Sequence, residues 1–76
     1  MDRVDKLCER TRVLAESGAD LEAAAAELLG MTAGDRWVVE AALARSEAVA
    51  EWAPDDAIAA RSVSLLRDLL ALGVLR

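Results

Sequence analysis

From Asp35 to Trp52 the chain carries neither glycine nor proline, and this unbroken run constrains the fold more than any other feature. Its alanine, leucine, glutamate and arginine content favours helix. Wound at about 100° per residue, Trp37, Ala41, Ala44, Ala48 and Trp52 fall on one narrow stripe. Val38, Val39, Ala42, Leu43, Val49 and Ala50 spread over much of the remaining circumference, leaving one clearly polar band of Arg36, Glu40, Glu47 and Glu51, with Arg45 isolated on the other side. A helix apolar over so wide an arc needs cover from more than one direction. It is expected to be the longest helix and the hub of the fold.

Three further helices follow from the same periodicity. Residues 2–17 place Val4, Leu7, Cys8, Thr11, Leu14 and Ala15 on one stripe, with Gly18 as a left-handed stop. Asp20 is the expected N-cap of a second helix over 20–29, with Leu21, Ala24, Ala25 and Leu28 inward and Gly30 ending it. Thr32 is the expected cap of the central helix, 32–52. Pro54 disfavours helix in the residue before it and suits the first turn of a last helix over 54–72. That last helix carries Ile58, Ala59, Ser62, Val63, Leu65, Leu66, Leu69, Leu70 and Leu72 over more than half its circumference, and Gly73 follows it. The expected fold class is all-α: a single domain, 1–76, built as a small four-helix bundle.

A chain of 76 residues buries a modest core and often needs help from a metal, a disulfide or a partner. One cysteine rules out an intrachain disulfide, and the absence of histidine removes zinc sites of the Cys/His type. With 55% of residues hydrophobic, help from a second chain is the aid left open. The net charge of −5 is concentrated: residues 20–56 hold nine carboxylates against Arg36 and Arg45, a local −7. Such a middle repels phosphate backbones and suits a basic protein surface. Residue usage, rich in Ala, Leu, Arg and Val with no Asn, Gln, Phe or Tyr, reads as GC-rich bacterial coding. No signal-peptide pattern and no apolar run of membrane-spanning length occur, so a cytoplasmic protein with no membrane role is expected.

Little in the chain can carry catalysis. There is no histidine to form a thiolate at Cys8, no tyrosine and no glycine-rich phosphate loop. Glu40, Glu47 and Glu51 share a helical face, yet carboxylate-bridged metal bundles pair such glutamates with histidines. Neither enzymatic activity nor a cofactor or metal is expected. Ala24–Thr32, ending Ala26-Glu27-Leu28-Leu29-Gly30-Met31-Thr32, resembles the first helix and turn of a helix-turn-helix, which commonly reads Ala-x-x-Leu-Gly-hydrophobic-Ser/Thr. The resemblance covers roughly a quarter of the chain and implies a DNA-binding unit over residues 23–45. It departs from the pattern at Arg36, where a buried Val or Ile is usual; an extra turn residue would have to bring Trp37 into that place. Asp35, Glu40, Glu47 and Glu51 on the would-be recognition helix oppose DNA, so nucleic acid is the less favoured partner.

The tryptophan stripe has two readings. Helix 1 or helix 4 of the same chain packs into the groove between the indoles, or part of it stays open and receives a helix from another chain. The surplus of apolar surface favours association: a non-enzymatic protein-interaction module, a small acidic adaptor, regulator or accessory subunit, self-associating as a homodimer. Trp37, Trp52, Leu65, Leu69 and Leu72 are the expected interface anchors.

Overall fold

The structure is a computed structural model and describes residues 2–76. Its element order is α1 (Arg3–Ser17), α2 (Leu21–Thr32), α3 (Arg36–Trp52) and α4 (Ala57–Ala71), an all-α four-helix bundle. Helices α1, α3 and α4 pack on one another, most broadly α3 on α4. α2 rests chiefly on α1, and touches α3 least.

Each helix start is read from an aspartate. The Asp2 carboxylate accepts from the Asp5 amide at 2.8 Å, and Asp20 accepts from Ala23 at 2.9 Å. Asp56 accepts from both Ile58 and Ala59 at 3.0 and 3.1 Å. Asp35 stands at the α3 cap position without a side-chain bond, and Thr32, expected there, belongs to α2. The Thr32 hydroxyl donates to the Leu29 carbonyl at 3.0 Å and accepts from the Gly34 amide at 3.3 Å, closing the end of α2. Pro54 is likewise outside α4: it sits in a turn closed by the Asp56 amide on the Ala53 carbonyl at 2.9 Å. Proline pre-sets the second position of such a turn, which explains the shift from the expected helix start.

The clearest correction is at Gly30. The expected stop is passed by α2, which runs on to Thr32 and turns at Ala33 (φ 52°) and Gly34 (φ 80°). The tertiary packing of Thr32, which is wholly buried, outweighs the helix penalty of one exposed glycine. The turn that the helix-turn-helix resemblance puts at Gly30 therefore falls at Ala33–Asp35.

The core joins Leu7 and Leu14 of α1, Leu28 of α2, Val38, Val39 and Ala42 of α3, and Leu66 and Leu69 of α4. Leu7, Leu28, Leu66 and Leu69 are fully buried, and each contributes about 1.5–3 kcal/mol by leaving water. Ion pairs run between helices at the rim: Arg10–Glu27 ties α1 to α2, and Arg12 reaches Asp56 at the start of α4 at 2.8 Å. Glu47 holds Arg67 of α4 at 2.8 Å. The final residues close the bundle end, where the Arg76 amide donates to the Gly34 carbonyl at 2.9 Å and the Arg36 amide donates to the Arg76 carbonyl at 3.0 Å. The latter bond satisfies one of the unpaired amides that every helix start leaves.

Candidate docking face

α3 is buried along one side and bare along the other. Val38, Val39 and Ala42 are wholly buried and Ser46 nearly so, while Trp37, Ala44, Ala48 and Trp52 are exposed and Ala41 is half-buried. The two sets are opposite by helical geometry: the stripe points about 130° away from the core side. Neither α1 nor α4 fills the groove between the indoles. That expectation is overturned, because the valines and Ala42, which follow the helix circumference toward α1 and α4, take the contact instead.

The indoles are the two largest side chains in the protein, and the fold leaves them in water. Trp52 is 90% exposed and Trp37 58%. They lie about 22 Å apart along the helix, with only alanines on the line between them. Trp37 is partly roofed by Arg3 of α1, whose guanidinium carbon stands 5.7 Å from the ring centroid. Arg3 is itself fixed by Asp35 at 2.9 Å and by the Thr32 carbonyl. Trp52 has no such cover. One margin of the stripe is acidic, with Glu40, Glu47 and Glu51; Arg36 pairs with Glu40 at 3.5 Å. On the other margin Arg45 is engaged by Asp5 of α1.

The five expected anchors are thus divided. Trp37 and Trp52 share this face. Leu72, 45% exposed, lies just past the end of α4, and Leu65 is half-buried on α4. Leu69 is wholly buried in the chain's own core, so it is out of reach of any partner. The α4 pattern misled at Leu69 because a leucine row over half a helix does not say which rows the neighbouring helices take. One feature of the face was not read from sequence: Arg3 over Trp37, a contact between residues far apart in the chain that no local pattern signals.

A cleft of about 100 Å³ opens between α1, α3 and α4, lined by Cys8, Arg12, Arg45, Ser46 and Ser62 among others. The Cys8 thiol donates to the Ala42 carbonyl at 3.7 Å, and burial raises its pKa above the ordinary thiol value. A thiol kept protonated in this way is a poor nucleophile. Both arginines at the cleft mouth are already held, by Asp56 and Asp5. Among the described residues no three His, Cys, Asp or Glu side chains gather closely enough to hold a metal ion, and no helix is long and apolar enough to cross a membrane. Comparison of the chain with family models, curated proteins and solved structures returned no match.

Proposed function

We propose that this chain is a non-enzymatic protein–protein interaction module, an acidic adaptor or regulator in type, that self-associates through the outward face of α3. The observation that supports this is the pair of exposed indoles on one helix face. A fully exposed tryptophan leaves about 150–250 Å² of mostly apolar surface in water, a poor resting state for a soluble domain and a common anchor at interfaces. Alanines between the anchors allow the backbone of an approaching helix to come near. The carboxylates lie at one margin of the face and not between the indoles, so the surface that anchors a second copy is itself uncharged.

Sedimentation equilibrium tests the reading. The wild-type chain is expected to associate reversibly, and Trp52→Ala to sediment as a monomer with an unchanged melting temperature. A wild-type chain that stays monomeric at every concentration removes the self-association, and a Trp52→Ala chain that associates like wild type removes this face.

A second reading is a helix-turn-helix DNA-binding domain over residues 23–45. It is favoured by the three-residue connection between α2 and α3, the length such motifs use. Against it, the exposed side of α3 offers Trp37, Glu40 and Glu51 where base and phosphate contacts need Arg, Lys, Asn or Gln. Retention on heparin at low salt, with release as salt rises, would support DNA binding; passage straight through would end it.

A further inference from the structure

The outward face of α3 is symmetric about its own middle. Reading outward from the Ala44–Arg45 peptide, Ala41 and Ala48 stand at equal distances on either side, and so do Trp37 and Trp52. A closed two-fold contact requires a surface that is complementary to itself, with residue i meeting j and j meeting i. We infer that a second copy of this chain seats on this face antiparallel, about a two-fold axis beside the Ala44–Arg45 peptide, so that each Trp52 meets the partner's Trp37. The inference rests on the self-association proposed above and specifies its geometry.

Exposure supports the pairing. Trp52 stands almost free at 90%, whereas Trp37 is recessed under Arg3 at 58%. Antiparallel seating sets a projecting ring against a recessed one at both ends, while a parallel pair would bring the two projecting rings together at the same level. Between them only alanines lie on the stripe. Helices with small residues at the contact approach to about 8 Å between axes, the near end of the usual range.

The area is sufficient for one occupant of this size and no more. At about 150–250 Å² per indole, four rings offer roughly 600–1,000 Å², reduced in proportion to the cover on Trp37. Ala44 and Ala48 of both copies, which are exposed, add to that and bring the contact near the roughly 1,000 Å² at which a specific interface begins. The dimer is therefore weak and reversible. A two-fold axis perpendicular to the helices also keeps like margins together, so Glu51 of each copy comes beside the partner's Glu40. Arg36 and Arg67 offset part of this repulsion. The association strengthens as salt rises, the reverse of what a basic helix or DNA on the same face would show.

Cysteine cross-linking in a Cys8→Ser background tests the geometry, with mild oxidation read on a non-reducing gel. Ala44→Cys is expected to form linked dimers alone, because its symmetry mate is displaced by only about 1.5 Å along the axis. Ala41→Cys and Ala48→Cys are each expected to stay unlinked alone, with mates about 10 Å away along the axis, and to link when mixed. Linkage of all three variants alone would mean a parallel pair and overturn the inference while leaving self-association intact. No linkage from a chain that sediments as a dimer would move the interface elsewhere and overturn it too. A monomer under all conditions would remove the geometry together with the reading beneath it.

Discussion

The two sides of α3 reverse the usual order of size. The inner side buries two valines, an alanine and a serine; the outer side holds two tryptophans in water. Burial here follows position and not hydrophobic size. α1 and α4 approach from one direction, and whatever lies on that arc is covered. The contrast teaches that an apolar residue on a short helix is core only if a neighbour exists on its side, and that the uncovered remainder is where a second chain gains most. By the same rule the core side is intolerant of change in volume and the outer side tolerates it.

The largest blow to the inner side comes through its partner helix. Leu66→Ala empties a fully buried position against α3 and is expected to lower stability by about 2–5 kcal/mol, a large part of what a domain this size has, read as a shift in urea midpoint. Ala42→Leu probes the same side by overfilling and is expected to cost about 1–3 kcal/mol. Ala44→Leu, two residues on and exposed, is expected to leave the urea midpoint within about 0.5 kcal/mol of wild type. Equal effects of these two leucines would erase the distinction between the sides.

Smaller changes sharpen it at the turn that sets how α3 is rotated. Gly30 lies within α2 where an added methyl would meet open space, and Ala33 holds the left-handed position that glycine prefers. Gly30→Ala is expected to stabilise by about 0.5–1 kcal/mol, with Ala33→Gly acting in the same direction, both seen as a raised melting temperature. The smallest effect is electrostatic. Arg12, then the Ala59 amide, hold the Asp56 carboxylate below its ordinary pKa. A carboxylate with a lowered folded-state pKa adds stability that is present in full above the unfolded value, about 4 for aspartate, and is lost as pH falls from there through the folded-state pKa. Asp56→Asn retains a capping side chain but not the charge. Its urea midpoint is expected to lie slightly below wild type at neutral pH and to converge with it under acid conditions.

Much of the fold was legible in order. Val4, Leu7, Thr11, Leu14 and Ala15 are buried as their spacing implies, and Gly18 takes the left-handed stop at φ 76°. Asp20 caps α2, and Gly73 follows α4 with φ 72°. These features are local: a helix stripe or cap depends on residues within a turn of one another. Gly30, Thr32 and Pro54 were misplaced by a few residues, since at each a neighbouring contact or turn decided between two local options. Of the candidate site, Trp37 and Trp52 were legible as a shared face because spacing alone puts them there. Leu69 was not separable from Leu65 and Leu72 in a helix whose apolar arc is wider than its contact.

The sequence by itself determined four helices, their approximate ends, an acidic middle and a stripe with an indole at each end, because all of these are set by periodicity, capping and charge along the chain. Only the tertiary structure decided that the stripe faces water. Rotation of α3 about its axis is fixed by the Ala33–Asp35 turn, by the strap of Arg76 across Gly34 and Arg36, and by the fit of Val38, Val39 and Ala42 against α1 and α4. Those contacts join residues distant in the chain, and no pattern within one helix encodes them.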